Sequence, residues 1–391
     1  MKIHYLLQQH VGAPAIAVVS CGDRVSRGQL LAEPNVLGAN IHASVSGTVE
    51  NITGESIVVA GEERQSNSFI PFDEPSDYFE AIREAGIVGA GGAGFPTAVK
   101  IKSLKNPKII IANGTECEPM LQHNIKFMQT RPDVLIRGLI YLQEMTGAPI
   151  ALIVLKEKNK AVARDLLNLC SQEKRIRIKL LPDRYPAGDE RVIVRELVGL
   201  ELAPGELPTE SGLLIQNVET IKRIVEAIEL RKPFIDKDIT VAGRVKDTPK
   251  GKPYMDVPLG TPIGHFIEAS GGFEEPHGEI IIGGPFTGKT ATFSSPITKT
   301  TGGIMVGMPF PGGRKKMGVL ACECGAQEER LQDIAREMGA EEIITAKCKR
   351  MEEVNGRFRC NKPGICPGQA ETVMEFKKKG VDALLTGSCD E

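Results

Sequence analysis

Glycines crowd one short segment of the chain, and this segment most constrains the fold. Four glycines lie within residues 89–94, and Pro96 follows at a position suited to the first residue of a helix. Such a loop lets backbone N–H groups and the positive end of the helix dipole face an anion. Lys100, one turn further on, supplies a counter-charge. The segment predicts a phosphate cradle whose glycines are Gly89, Gly91, Gly92 and Gly94.

A second polar run, at 113–119, follows an apolar stretch at 109–112 that predicts a strand. Asn113, Glu116 and Glu118 therefore lie at the carboxyl end of that strand, where open α/β sheets bind ligands. The glycines follow a helical pattern at 78–87 instead of a strand, which argues against an ordinary dinucleotide-binding turn. A connection that only permits tight helix packing is the alternative interpretation.

Together with the segments 185–190 and 216–220, these two runs resemble two related families. They are the flavin- and NADH-binding subunits of respiratory complex I and the C subunits of Rnf-type electron transport complexes. The resemblance implies FMN contacts at Gly89, Gly91, Gly92, Lys100, Asn113, Glu116, Gly188 and Asn217. It implies that Phe95, Glu118 and Glu190 face NADH. Three residues depart from the family pattern: Thr115 and Cys117 lie inside the acidic run, and Asp189 replaces a glutamate.

Composition excludes several classes of protein. The chain has 391 residues, 41% of them hydrophobic, which is enough for two to four domains with ordinary cores. Its formal net charge of −2, without a long basic run, gives no sign of a nucleic-acid partner. No stretch approaches 18 uninterrupted apolar residues, so we expect a cytoplasmic protein that does not span a membrane. Association with a membrane complex remains open.

The patterning divides the chain into four segments of an α/β multi-domain protein. Residues 1–70 resemble the barrel-sandwich hybrid of lipoyl and biotinyl carriers, but lack the carrier lysine and predict a structural β module. Residues 71–232 alternate strands and helices as an FMN- and NADH-binding α/β domain. Residues 233–312 turn β-rich and resemble the soluble-ligand-binding β-grasp module. Residues 313–391 predict a cysteine-rich domain with a parallel sheet.

One motif within the third segment invites a different interpretation. Residues 283–290 match GxxxxGK[ST], the pattern of a nucleotide-binding P-loop. A working P-loop needs a helix after its lysine, and residues 291–296 are β-branched, polar and broken by a proline. We expect a turn between β elements.

Cysteines gather in the last segment. Cys322 and Cys324 follow its first predicted strand, Cys348 the second and Cys389 the third, so parallel strands would bring them to one edge. Thiol–disulfide exchange, with Cys389, Cys322 and Cys324 as redox thiols, is the preferred interpretation because thiolates near helix N-termini have depressed pKa values. Zinc or an iron–sulfur cluster is the alternative, although no ferredoxin-type cysteine run occurs. Its possible ligands are Cys322, Cys324, Cys348, Cys360 and Cys366.

The full layout resembles the proline reductase-associated electron transfer proteins. In that family a Cys-x-x-selenocysteine pair would lie where this sequence ends, so we expect a truncation just before a selenocysteine at position 392. The resemblance implies that NADH reduces FMN and that electrons leave through a thiol or selenol site to a proline reductase-like selenoenzyme. Two alternatives remain: an Rnf-like subunit whose cysteines hold a metal, and a non-catalytic adaptor with a degenerate flavin site.

Overall fold

The computed structural model describes residues 1–92, 94–170, 173–248 and 250–387. Its N-terminal part is all β, in two small sheets with strand orders β1-β7-β6-β3 and β2-β4-β5. Alternating burial along β1 places Ile3 and Tyr5 in a core shared by both sheets. The strands of this part are β1 (Lys2–Leu6), β2 (Ile16–Ala17), β3 (Arg24–Val25), β4 (Leu30–Glu33), β5 (Ile41–His42), β6 (Gly47–Ile52) and β7 (Ser56–Gly61).

The second part is a parallel sheet covered by helices. Its strands are β8 (Ile109–Asn113), β9 (Ile150–Lys156), β10 (Ile176–Leu181) and β11 (Leu213–Asn217). Its helices are α1 (Tyr78–Glu84), α2 (Thr97–Lys102), α3 (His123–Thr130), α4 (Pro132–Thr146), α5 (Lys160–Leu169), α6 (Glu190–Val198) and α7 (Val218–Leu230). Strands β8 and β9 are nearly continuous apolar runs, because layers on both faces of the sheet bury them.

The order of this sheet is β10-β9-β8-β11. The chain builds it outward from β8 to β10 and then returns to the other side of β8 to form β11. The carboxyl ends of β8 and β11 therefore flank a topological switch point, where open α/β sheets leave a crevice for ligands. The glycine loop lies between helices α1 and α2, as the sequence predicts.

The third part is a mixed five-stranded sheet, with strand order β13-β12-β16-β14-β15. Its elements are β12 (Asp236–Gly243), β13 (Lys252–Pro258), α8 (Ile263–Glu268), β14 (Ile280–Ile282), β15 (Lys289–Ala291) and β16 (Gly303–Val306). Strands β14 and β15 form an antiparallel hairpin, so the P-loop-like motif is a turn between β elements. The expectation drawn from residues 291–296 is confirmed, whereas the β-grasp assignment stays a prediction.

The last part has three parallel strands in the order β18-β17-β21, with a separate hairpin of β19 and β20. Its elements are β17 (Lys316–Ala321), α9 (Glu328–Glu337), β18 (Glu342–Lys347), β19 (Met351–Val354), β20 (Arg357–Cys360), α10 (Ala370–Lys378) and β21 (Ala383–Thr386). The sheet is parallel, as predicted, and Cys322 and Cys348 directly follow its strands β17 and β18. Cys389 lies outside the described residues.

Two buried cations join the first three parts. Nζ of Lys299, which has no exposed surface, donates to the carbonyl oxygens of Asn40 and Gly86. Burial lowers the pKa of Lys299 to about 7. Nη2 of Arg27 pairs with Asp236 at 2.5 Å. These buried contacts therefore fix the positions of the residues that would surround a flavin site between the three parts.

None of the helices within the described ranges has both the length and the apolar composition needed to cross a bilayer. The longest helix among them, α4, has 15 residues and carries charged side chains.

Candidate functional site

Two asparagines mark the switch point of the parallel sheet. Asn113 and Asn217 end β8 and β11 and are direct partners in the strand register. Asn217 caps α7, because its side chain accepts a hydrogen bond from Glu219 N at 2.8 Å. Nδ2 of Asn113 donates to Gly188 O at 2.9 Å. Both side chains are fixed by local bonds, so the crevice between them has a defined shape.

The glycine loop covers one side of this crevice. Gly89 N donates to Phe95 O at 3.0 Å and Gly94 N to Gly89 O at 3.2 Å, which closes the loop on itself. Gly91 and Gly92 remain exposed and line the cleft, and Gly92 has a φ of +120° that favours glycine. A Cβ on Gly91 would lie 3.0 Å from Nδ2 of Asn217. The loop thus presents bare backbone to the cleft.

Other predicted residues of this loop do not line the cleft. Gly94 packs against the N-terminal part, where its oxygen accepts a hydrogen bond from Val11 N at 3.0 Å. A Cβ on Gly94 would lie 2.9 Å from Thr300. Phe95 is half-buried. Cofactor contacts at these two positions stay predictions.

Lys100 and Glu190 bind each other. Nζ of Lys100 donates to Glu190 Oε1 at 2.7 Å and to Ile215 O at 2.7 Å. Pro96 is the residue before α2, so Lys100 lies in the second half of a short helix of 6 residues. In this arrangement the ammonium neutralises a carboxylate behind the glycine loop. The contact of Lys100 with phosphate and the contact of Glu190 with the nicotinamide stay predictions.

The polar run after β8 is shaped by close packing. Asn113 Oδ1 accepts hydrogen bonds from both the backbone N–H and the hydroxyl of Thr115. Gly188 N donates to Cys117 Sγ at 2.7 Å. A Cβ on Gly188 would lie 2.2 Å from Thr115 Oγ1, so only glycine fits there. Thr115 and Cys117, two of the three residues that depart from the family pattern, therefore hold the turn at Gly188 against the strand end.

Glu116 is a buried carboxyl group at the floor of the cleft. Its Oε2 accepts a hydrogen bond from Asn124 Nδ2 at 2.7 Å, and Nε2 of His123 lies 3.9 Å away. Burial raises the pKa of Glu116 to about 7 and lowers the pKa of His123 to about 3. The imidazole is therefore neutral near pH 7, while Glu116 exchanges a proton in that range. Such a group suits a site where a cofactor gains and loses protons.

Glu118 joins the second part, which contains the parallel sheet of β8 to β11 and is called the flavin part below, to the β14–β15 hairpin. Its carboxylate accepts hydrogen bonds from Phe286 N and Thr287 N, each at 2.9 Å, and from the hydroxyl of Thr287. A Cβ on Gly284 would lie 2.2 Å from the same carboxylate, so a side chain there would displace Glu118. The P-loop-like turn thus binds a carboxylate of its own chain. Glu118 also lines the cleft, and its contact with NADH stays a prediction.

The residues present fit a flavin nucleotide. The cleft has a volume of about 180 Å³. Oδ1 of Asn124, which lines it, is buried without a hydrogen-bond partner among the described residues. Bare backbone at Gly91 and Gly92 suits a phosphate or ribityl chain, and amides at the strand ends suit its hydroxyl groups. Sequence reasoning missed Asn124, which belongs to no motif, and Thr287, which occupies a variable position of the P-loop-like motif.

The cysteines of the last part form a separate cluster. Cys324 is in hydrogen-bonding contact with both Cys322 and Cys360, and the first contact lowers the pKa of Cys322 to about 6. Cys348 accepts a hydrogen bond from Gln369 Nε2 at 3.0 Å, and Cys366 is exposed. Across the described ranges, no three His, Cys, Asp or Glu side chains are placed to hold a metal ion.

Tyr185 lies between the cleft and the cysteine cluster. Its hydroxyl donates to the carbonyl oxygen of Cys324. Its ring packs edge to face with Phe286 at a centroid distance of 4.7 Å. Burial raises the pKa of Tyr185, so the phenol stays neutral. Sequence reasoning used Tyr185 only as a family marker, and a contact between residues 139 positions apart left no local signal.

This fold and site define a class: electron-transfer oxidoreductases with a flavin domain of the complex I type. Residues 82–226 match the model of the Nuo51 FMN-binding domain, and residues 1–73 match that of the RnfC barrel sandwich hybrid domain. The C subunit of the proton-translocating ferredoxin:NAD⁺ oxidoreductase complex of Clostridium ljungdahlii is 32% identical over 78% of this chain and 70% of its own length. The chain therefore belongs to the RnfC family.

Other relatives are similar over more than half of the chain. The C subunit of the ion-translocating oxidoreductase complex of Pseudomonas aeruginosa is 33% identical over 77% of this chain and 41% of its own length. The cobalamin reductase PduS of Salmonella typhimurium is 38% identical over 58% of this chain and 49% of its own length. The chain thus spans less than half the length of these two relatives.

A solved structure of an NAD⁺-reducing [NiFe]-hydrogenase shares the fold, with a TM-score of 0.51 and 22% identity over 60% of this chain and 47% of that one. The predicted mixed α/β architecture, with its barrel-sandwich hybrid and FMN-binding domain, is confirmed. The prediction of an oxidoreductase is confirmed at the level of the family. These relatives favour the Rnf-like alternative over a proline reductase partner.

Proposed function

We propose that this chain binds FMN in the cleft at the ends of β8 and β11 and transfers electrons between a nicotinamide nucleotide and a partner electron carrier. One observation carries the proposal: the exposed backbone of Gly91 and Gly92 faces the asparagines of the switch point across a cleft. Bound FMN would supply the chemistry, since it exchanges two electrons with a nicotinamide and can pass electrons onward.

The protein residues bind, orient and move a proton. Asn217 and the glycine loop hold the phosphate end, and Asn124 offers an unpartnered buried oxygen to a donor on the ligand. Glu116 exchanges a proton at its carboxyl group close to neutral pH, because burial raises its pKa to about 7. Neutral His123 beside it adds no competing positive charge.

Access for the nicotinamide depends on Glu118. Its carboxylate holds the turn at residues 284–287 against the cleft, so opening that turn both widens the cleft and frees the carboxylate. The enclosed volume of 180 Å³ is below the range of about 300–1,000 Å³ typical of small-molecule sites. An opening of the turn is therefore part of the proposal.

The electron donor is proposed as a nicotinamide nucleotide, whereas only a class of electron acceptor is proposed. A membrane-associated complex is the partner that the Clostridium and Pseudomonas relatives favour. A reductase of the proline reductase type remains the narrower proposal, together with an exit through the C-terminal thiols. The selenocysteine at position 392 and the cytoplasmic location stay predictions.

Reconstitution tests the proposal. Full-length protein is incubated with FMN under anaerobic conditions, separated from excess flavin, and titrated with NADH while the visible spectrum is recorded. We expect retained flavin absorbance that bleaches on addition of NADH. Protein that emerges colourless would refute flavin binding and leave the adaptor alternative; retained flavin that NADH fails to bleach would refute the nicotinamide step alone.

A further inference from the structure

A second cavity lies in the C-terminal part, outside the flavin cleft. It encloses about 540 Å³, within the range of about 300–1,000 Å³ of small-molecule sites. Cys322 lines this cavity, whereas Cys324 and Cys360 are not among its lining residues. The charged side chains around it are balanced in sign: Glu323, Glu328, Glu329, Lys347, Arg357 and Arg359.

The local backbone explains why Cys322 is placed there. Strand β17 ends at Ala321, and a short turn leads from it to helix α9. Contact with the Cys324 thiol lowers the pKa of Cys322 to about 6. Backbone N–H groups of Cys324 and Gly325 in this turn donate to the same sulfur and stabilise its thiolate further. Cys322 is therefore an ionised thiol at the wall of a cavity.

Cys324 and Cys360 lie behind it. Glu323 accepts a hydrogen bond from Cys360 N at 2.5 Å and pairs with Arg359 at 2.7 Å, which fixes the hairpin β19–β20 against the turn that carries Cys322. Nη1 of Arg191, from the flavin part, donates to Cys360 O at 2.6 Å. The three sulfurs form a chain in which Cys324 contacts both of the others.

We propose that Cys322, Cys324 and Cys360 form a thiol–disulfide exchange site whose substrate is a disulfide bound in the C-terminal cavity. This inference deepens the proposed function and relies on it only for the source of electrons. Sequence reasoning assigned Cys360 to a possible metal set alone; here it is the third redox thiol.

The exchange balances in three steps. The Cys322 thiolate attacks the substrate disulfide, forms a mixed disulfide and releases one substrate thiolate. Hydrogen bonding to the Cys322 and Cys360 sulfurs raises the pKa of Cys324, and the first of these effects ends once Cys322 is in the mixed disulfide. Cys324 then gives its proton to water and attacks the sulfur of Cys322, which releases the second substrate thiolate and leaves a Cys322–Cys324 disulfide. Attack of Cys360 on Cys324 then moves the bond to Cys324–Cys360 and returns Cys322 to a thiolate. Two electrons and two protons, from a donor of the dihydroflavin class, reduce the Cys324–Cys360 disulfide and restore those two thiols.

The test uses the full-length chain without flavin. The protein is reduced, freed of reductant and mixed anaerobically at pH 7 with dithiodipyridine, a neutral disulfide whose released thiopyridone is coloured. At one dithiodipyridine per chain, we expect the site to release both thiopyridones of the probe in a linked burst, that is, both from one reaction cycle. Peptide mass mapping should then find a disulfide between Cys324 and either Cys322 or Cys360.

Three variants separate the roles. C324S should release one thiopyridone from this site and keep the probe on Cys322, while C322S should lose the linked burst. C21S, which removes an exposed thiol in the N-terminal part, should keep it. A burst that survives in C322S or C324S would overturn the proposal, as would stoichiometric zinc that blocks labelling. Thermal unfolding of each variant shows whether the fold is retained, and C324S keeps the test decisive if C322S fails to fold.

FMN retention, measured on the same preparations, keeps the two proposals distinguishable. Loss of the burst with flavin retained would refute the exchange site only. A normal burst in protein that does not retain flavin would refute the proposed function and leave the exchange site standing.

Discussion

Substituting Gly91 with alanine tests the flavin cleft at its narrowest contact. The new Cβ would lie 3.0 Å from Asn217 Nδ2 and 3.2 Å from Asn217 Cβ. The asparagine cannot simply turn away, because it caps α7 through a hydrogen bond from Glu219 N. The methyl group therefore fills space that the cofactor needs or displaces a side chain that shapes the cleft.

The magnitude follows from two known costs. Adding a methyl group to a well-packed site costs roughly 1–3 kcal/mol, and loss of a helix cap costs about 0.5–2 kcal/mol. If the added methyl group destabilises only the FMN complex, FMN affinity drops about 5- to 150-fold. Gly89, whose FMN contact stays a prediction, is not among the residues that line the cleft. It is a matched control in the same loop, because a Cβ there would lie no closer than 3.8 Å to any neighbouring heavy atom within the described ranges. Neither glycine has a positive φ among the described backbone angles.

Isothermal titration of wild type, G91A and G89A with FMN measures the effect. We expect G91A to bind at least about fivefold more weakly and G89A to bind within about twofold of wild type. Thermal unfolding without ligand measures any loss of the Asn217 cap, which would lower the stability of G91A by about 0.5–2 kcal/mol relative to G89A. Equal affinities for G91A and wild type would refute the placement of the cofactor against Gly91.

Three further predictions concern the groups around the site. T287V removes a hydroxyl donor to Glu118, so amides of the turn at residues 284–287 should exchange hydrogen faster, and unchanged exchange would contradict the role of Glu118 in holding that turn. K299M should remove a rise in unfolding free energy between pH 7 and 10.5. Over this range the unfolded chain holds the Lys299 proton and the folded chain does not, so the wild-type fold gains roughly 5 kcal/mol as pH rises. Urea titrations check this difference, with K2M at an exposed lysine as control. E116Q should remove a fall of roughly 3 kcal/mol in unfolding free energy between pH 4.5 and 7. In wild type, folded Glu116 keeps its proton over this range while the unfolded chain loses it. The same pH dependence in wild type and E116Q would contradict the burial of Glu116.

Secondary structure was predictable where buried segments consist almost entirely of apolar residues. Strands β8 and β9 are buried on both faces and appear as apolar runs, so their positions follow from the sequence. The turn at residues 283–288 was also predictable, because the residues after Lys289 cannot begin a helix. Local chemistry decided these features.

Contacts between distant parts were not predictable. Glu118 binds a turn 168 residues away, and Tyr185 reaches the carbonyl of Cys324 across 139 residues. Such contacts depend on how the domains pack and leave no periodic or motif signal. For the same reason the local pattern predicted a free ammonium group at Lys100, whereas the fold brings Glu190 within 2.7 Å of it.

A crystal structure of the full-length chain reconstituted with FMN tests the flavin site most directly. We expect flavin density in the cleft between the glycine loop and Asn217, with the turn at residues 284–287 displaced from its contact with Glu118. Flavin bound elsewhere on the protein, or a cleft that stays closed and empty at saturating FMN, would contradict the proposed site.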